Sequence, residues 1–184
     1  MTGRGAPERG PAAPDAEAIE RRVRAMLEGL GVAYEWIPID PAAADTAAFC
    51  ARYGVPLDRA ANTIVVVAKR EPRRYAACVV LASTRLDVNH TVKRLLGGGR
   101  CSFASADETV ALTGMAIGGV TVFALPPDLP LYVDARVTAL DWVILGAGSR
   151  GAKVRTSPEV FRRLPNATIV PGLALAGERA ADSA

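Results

Sequence analysis

Two apolar runs, Ile64–Ala68 and Tyr75–Leu81, stand on either side of the charged stretch Lys69-Arg70-Glu71-Pro72-Arg73-Arg74. Neither run alternates apolar with polar residues. A continuous apolar run of this length suits a strand in the middle of a sheet, where both faces are covered. The charged stretch suits a turn at the surface. The pair therefore reads as a hairpin of two central strands.

The segments around it mix helices and strands. Ile19, Val23, Met26, Leu27 and Leu30 fall at helical spacing, with Asp15 to cap the start and Gly31 to end it. Val32–Pro38 reads as a strand, and a short helix follows Asp45 and ends at Gly54. Val88, Val92, Leu95 and Leu96 form another helical stripe, capped by Asp87 and stopped at Gly97-Gly98-Gly99. After a short strand at Cys101–Phe103, Ser105-Ala106-Asp107-Glu108 spells a capping box for a helix ending at Gly114. Strands are expected at Val120–Ala124, Leu131–Val133, Trp142–Leu145, Lys153–Arg155 and Thr168–Val170, with a short helix from Ser157-Pro158-Glu159 between the last two. No regular βαβ rhythm runs through these elements. The expected class is α/β of the α+β type: a mixed, largely antiparallel central sheet with flanking helices. One domain is expected over 15–170, with flexible tails at 1–14 and 171–184.

Composition narrows the functions. Half of the 184 residues are hydrophobic and only 5% are aromatic, so a folded core of Ala, Val and Leu is expected. No apolar run reaches the roughly 18 residues that a membrane span needs. Arg4 and Arg9 are followed by no apolar stretch, so no secretory signal is expected. Cys50, Cys78 and Cys101 are far apart and odd in number, which fits inert thiols in a reducing cytosol and neither a disulfide framework nor a metal site. His90 is the only histidine and lies close to Asp87, where it reads as a solvated or capping residue. With no Ser–His–Asp, Cys–His or HExxH pattern, triad and metal hydrolases are disfavoured. Net charge is +3, but the basic residues gather in two groups, Lys69, Arg70, Arg73 and Arg74, and Arg85, Lys93, Arg94 and Arg100. Solvated faces are the plain reading and phosphate contact the functional one.

Glycines mark the candidate pocket. Gly146-Ala147-Gly148-Ser149-Arg150-Gly151 spells G-x-G-x-x-G after a strand. A dinucleotide site needs a helix to open at that turn. Here Lys153-Val154-Arg155-Thr156 alternates as a strand instead, which excludes the dinucleotide reading. The loop is then either a tight strand–strand turn or a place where backbone approaches a ligand. Gly118-Gly119, before Val120, is a second such cluster. Asp134 is either a helix cap or a support for the pocket.

The order of these features resembles the YbaK / prolyl-tRNA synthetase-associated domain family, whose members are aminoacyl-tRNA editing domains. The matching stretches are Gly54–Val66, Thr84–Asn89, Ala106–Val120 with Thr113-Gly114 and Gly118-Gly119, Leu131–Asp134, and Gly148–Gly151. The resemblance implies a YbaK-like fold and a small pocket for the terminal adenosine and amino acid of a mischarged tRNA. It implies hydrolysis of a small aminoacyl ester in trans, needing no cofactor and no metal, with backbone N–H groups for the oxyanion and water or a ribose hydroxyl to attack. Asn62, Gly148 and Arg150 are the catalytic candidates. Thr63, Gly118, Gly119, Asp134, Gly151 and Lys153 are the substrate-binding ones. The implied partners are the 3′ aminoacyl end of tRNA and a synthetase, in the cytoplasm, with no membrane.

Two positions depart from the family pattern. Asn62 stands where family deacylases commonly carry Lys, and Ile117 stands where they carry Pro before the glycine pair. Lys153 or Arg150 could supply the missing charge. The alternative function is a non-catalytic binding module that keeps the fold and binds a nucleotide, a tRNA end or a protein. Met115, Ile117 and Phe49 could each line the pocket or belong to the core.

Overall fold

The computed structural model describes residues 14–177. Of the expected tails, residues 1–13 and 178–184 lie outside the described part.

The chain opens with α1 (Ala16–Leu30), whose Ile19, Val23 and Leu27 are buried on one stripe. Asp15 accepts a hydrogen bond from the Ala18 N–H and Gly31 ends the helix, as the sequence predicts. Then follow β1 (Tyr34–Pro38), a 3₁₀ turn at Pro41–Ala43 and α2 (Thr46–Tyr53), capped by Asp45. The predicted hairpin is β2 (Ala61–Ala68) and β3 (Arg74–Leu81). β4 (Thr84–Leu86) leads into a π-helical turn at Val88–Val92, α3 (Lys93–Leu95) and β5 (Cys101–Phe103). The capping box opens α4 (Ala106–Thr113), with both of its reciprocal bonds made. The remaining elements are β6 (Leu131–Asp134), α5 (Ala135–Thr138), β7 (Val143–Gly146), β8 (Ala152–Thr156), α6 (Val160–Arg163), β9 (Ala167–Val170) and β10 (Ala174–Ala176).

The strands form a five-stranded sheet in the order β5-β2-β3-β6-β9, a three-stranded sheet in the order β1-β8-β7, and a β10-β4 pair. Only β3–β6 and β6–β9 pair in parallel among the described strands. The fold is therefore the mixed, largely antiparallel one expected. The continuous apolar run of β3 has its reason here. Ala77, Val79 and Leu81 enter the main core with α1, β7 and β8, while Ala76, Cys78 and Val80 enter a second core with Val92, Leu96 and Leu173. A third small cluster, Phe49, Cys50, Ile39, Ala44, Ala60 and Ile144, lies between α2 and the three-stranded sheet.

Two expectations fail. Val120–Ala124 is not a strand but irregular buried chain, with Val122 and Phe123 packed in the main core. Its apolar residues are there to fill the core, not to pair. The segment after Pro171 is not a loose tail as far as Gly177. Leu173 and Ala174 are buried, and β10 pairs with β4 in register Ala174↔Leu86, so that short apolar residues close the second core.

Candidate functional site

Among the described residues the backbones of the two larger sheets are joined by a single parallel bridge, Ala60↔Ile144. Beyond that bridge β2 and β7 run side by side without a ladder, and a cavity of about 310 Å³ opens between them. Asn62 and Thr63 from β2 line one wall, and Gly146 and Lys153 line the other. Asp45 and Thr46 at the start of α2, Phe103 at the end of β5 with Ala104 after it, and Ile117, Gly118 and Val120 also line it.

The β2 wall is an open strand edge. Ala82 N–H donates to the Ala60 carbonyl at 2.8 Å, and in that register the even-numbered residues of β2 share their backbone bonds with β3. Odd-numbered residues point their backbone groups the other way. The Val65 carbonyl meets the Ala104 N–H at 2.9 Å, but β5 pairs only with Val66–Ala68. The N–H and C=O of Thr63 thus face the cavity and not a neighbouring strand. The Thr63 hydroxyl is buried and has no hydrogen-bond partner among the described residues. A buried polar atom without a partner is uncommon and calls for one.

The opposite wall carries the charge. Lys153 sits mid-sheet, paired with Ile37 on β1 and Gly146 on β7, and is only 4% exposed. Its stem rises beside the third apolar cluster, with Nζ 5.8 Å from the centre of the Phe49 ring. Nζ donates to the Ala44 carbonyl at 2.7 Å and the Gly118 carbonyl at 3.2 Å. An ammonium has three N–H bonds, so one is left for the cavity. No carboxylate lies within ion-pair distance of it among the described residues. Burial pulls its pKa down from 10.5 to about 8, partly offset by the charge of Asp45.

A cavity at the fork of two sheets, walled by an open strand edge and one lysine, can hold a short polar ligand by its backbone and meet a negative charge. The family model described as an aminoacyl-tRNA editing domain matches residues 40–164. The chain belongs to that family. The match takes in the whole cavity lining, from Asp45 to Lys153. Among solved structures, that of a hypothetical protein, APE2540, is similar with a TM-score of 0.74 at 27% identity, over 84% of this chain and 99% of that one. The structure of a candidate trans-editing enzyme for prolyl-tRNA synthetase gives a TM-score of 0.71 at 24% identity, over 86% of this chain and 98% of that one. The second likeness is one of fold. No curated protein sequence matches. No helix among the described residues of this editing domain is long and apolar enough to cross a membrane.

The cavity brings together Asn62, Thr63, Gly118 and Lys153 from the residues singled out in the sequence. The others lie elsewhere. Arg150 is exposed, and it donates to the Ile117 and Pro41 carbonyls at 2.9 Å each, strapping the 117–118 loop to the turn before α2. Gly118 takes φ +92°, and a Cβ there would fall 2.6 Å from the Arg150 guanidinium, so the strap needs a glycine beneath it. The N–H groups of Gly119 and Gly148 are both spent on backbone carbonyls. The Gly148 N–H donates to the Gly119 carbonyl at 2.8 Å, and the Gly119 N–H donates to Ala116. Neither N–H is free for an oxyanion. A Cβ on Gly148 would meet Ile19 and Val23 of α1 at 3.1 Å, so this residue faces the core. The Gly151 N–H donates to the Ser149 hydroxyl, which is itself bonded to Glu20. Asp134 lies two strands from β2 and is a helix cap. It accepts from the Arg136 N–H at 2.9 Å and the Ala174 N–H at 2.8 Å, tying β10 to β6.

Of the undecided apolar residues, Met115 and Phe49 are core, while Ile117 is 52% exposed at the cavity rim. The sequence places Gly146 in the glycine loop but not among the assigned site residues. It is the first glycine of the G-x-G-x-x-G spelling, opposite Lys153 in register, and a Cβ there would collide with the Val120 carbonyl. Asp45 and Thr46 were legible as a helix start, but nothing in their spelling aims them at a ligand.

Proposed function

We propose that this editing domain is an aminoacyl-tRNA deacylase acting in trans on small mischarged amino acids. The observation that carries the reading is Lys153, a buried ammonium with a spare N–H on the wall of the cavity between the two sheets. Family membership supports an editing role. The volume, at the low end of small-molecule pockets, suits a small acyl group attached to ribose better than a bulky one.

In this reading the acyl ester enters the fork with its carbonyl toward Lys153. The open N–H and C=O of Thr63, its hydroxyl, and the Asn62 amide orient the ribose and acyl group. A water molecule, held by a neighbouring ribose hydroxyl, attacks the ester carbon. The ammonium of Lys153 meets the developing oxyanion, in a site where water is scarce and charge acts strongly. The ester C–O bond breaks, the 3′ oxygen leaves with a proton, and the products are a free amino acid and an uncharged tRNA. Arg150 shapes the rim. No metal or cofactor enters the scheme. The protein acts in the cytoplasm, where charged tRNA is its substrate.

The test is a panel of mischarged tRNAs, including alanyl-, cysteinyl- and seryl-tRNA. Hydrolysis of at least one well above its spontaneous rate is expected, and no acceleration for any would sink the enzyme reading. Asn62 favours a second reading, a binding module, because an amide brings no charge to a position where the family commonly has Lys. Asn62→Lys separates the two. Gain of hydrolysis from an inactive parent supports the binding module, and loss from an active parent makes Asn62 a working residue of a variant site.

A further inference from the structure

The two basic groups of the sequence meet in space. The β2–β5 ladder continues past its named strands, since the Lys69 N–H donates to the Arg100 carbonyl at 2.9 Å. Lys69 and Arg100 are therefore directly opposite across the ladder, an arrangement of like charges that disfavours folding. Arg70 lies against Gly99 and Arg74 against Gly97, so the hairpin turn sits on the triple-glycine loop. A cleft of about 240 Å³ runs between them, lined by Arg70, Arg74, Gly97 and Gly98, with Glu71 as its one carboxylate. On the other side of Arg100 a second cleft holds Lys93 and Asn89. Lys69, Arg70, Arg74, Lys93 and Arg100 are all exposed, and none has a carboxylate within ion-pair distance among the described residues. Their neighbour Arg73 differs, being held by Glu108 at 2.8 Å and by Glu71. Elsewhere on the surface Arg52, Arg59, Arg155 and Arg162 are paired with acids. Exposed Arg22, Arg85, Arg94 and Arg150 also lack a carboxylate partner among the described residues, but here five such cations stand together, although the chain as a whole is only +3.

The patch also stands at a definite distance from the cavity. Lys69 follows Thr63 by six positions along β2. At about 3.3 Å per residue that is roughly 20 Å. With about 3.4 Å per stacked nucleotide, it is a length of about six nucleotides. A tRNA whose terminal adenosine enters the fork has four unpaired nucleotides before its acceptor stem begins. We propose that Lys69, Arg70, Arg74, Lys93 and Arg100 form a docking surface for the phosphate backbone of the first base pairs of the tRNA acceptor stem. The inference rests on the deacylase reading for its partner, but concerns a surface apart from the reacting centre. Contacts of this kind give affinity and register without reading sequence.

The experiment compares the full chain with a triple variant, Arg70→Gln, Lys93→Gln and Arg100→Gln, and with Arg162→Gln on α6 as a control. Binding of uncharged tRNA is measured across a salt series, so catalysis is not needed for the readout. The triple variant is expected to bind roughly tenfold or more weakly at low salt. Its plot of log K against log salt should be shallower by about 2 to 3, near 0.9 for each lost phosphate contact on duplex. Arg162→Gln should bind as the parent does. Hydrolysis of aminoacyl-tRNA is then set against that of an aminoacyl ester of adenosine alone, and the ratio of the two rates should fall at least tenfold in the triple variant. Parent-like tRNA affinity and salt slope in the triple variant would overturn the surface, as would an equal loss in Arg162→Gln. A parent that binds tRNA through these residues yet cleaves no ester upholds the surface and removes the deacylase reading. A parent that cleaves the adenosine ester while the triple variant binds tRNA unchanged does the reverse.

Discussion

Lys153 Nζ lies 3.2 Å from the carbonyl oxygen of Gly118, so a central strand of the smaller sheet is bonded to the loop that roofs the cavity. The same glycine makes room for the Arg150 guanidinium above it. Charge, roof and rim strap therefore converge on one backbone position.

Lys153→Met keeps the length of the side chain and removes the charge. Hydrolysis of the best mischarged tRNA is expected to fall at least 100-fold in kcat/KM, in keeping with loss of an oxyanion partner. Lys153→Arg should keep part of the activity. Single-turnover kinetics on all three proteins check this, and a methionine variant as fast as the parent would take Lys153 out of the reaction.

The lysine also sets two pH effects. If its protonated form meets the oxyanion, enzymatic hydrolysis corrected for the spontaneous rate should decline above about pH 8, where burial has brought its pKa. For stability the unfolded chain holds that proton up to about 10.5 while the folded chain releases it near 8. The unfolded state thus binds more protons in that window, and folding stability rises with pH across it. Below pH 8 the cost of burying the charge is fully present. Denaturant midpoints at pH 7.5 and 9.5 should rise more in the parent than in Lys153→Met, which has no such group to release.

Gly118→Ala is expected to cost about 1–3 kcal/mol, from backbone strain at φ +92° and from the displaced Arg150. Part of this cost belongs to the pair. Adding Arg150→Ala should recover some of it, and a double-mutant cycle on unfolding free energies reads the coupling. Strict additivity would mean that the arginine does not lie over the glycine.

Gly148→Ala should destabilise by a similar amount, because its methyl group meets Ile19 and Val23 of α1 and its φ is +91°. The loss comes from the core, so Val23→Ala in the same chain should lessen it. Thermal unfolding of the four proteins measures this. Selective loss of turnover with no change in melting would instead put Gly148 at the cavity.

The central hairpin, the helix caps and the capping box were readable because each depends on neighbours in sequence: β-branched runs, an Asp before a stripe, Ser105 three residues before Glu108. Val120–Ala124 misled because an apolar run tells of burial and not of pairing. The site was half readable. Asn62 and Gly118 came from order along the chain, but a G-x-G-x-x-G spelling does not say which glycine faces which side. That depends on register, which sets Gly146 opposite Lys153 and turns Gly148 toward α1. Nor could spacing show that Lys153 is buried while Arg150 is not, since that follows from α2 covering one face of the sheet.

The bridge at Ala60↔Ile144 gives the molecule a seam. One backbone pair joins two sheets that are otherwise held by packing, and the cavity begins where the seam comes undone. Its walls are Asn62 and Thr63 on one sheet and Gly146 and Lys153 on the other. Ligand at 100 times its Kd adds about 2.7 kcal/mol to the folded state by mass action, and a ligand that bound both walls of this cavity would link the two sheets beyond their one bridge.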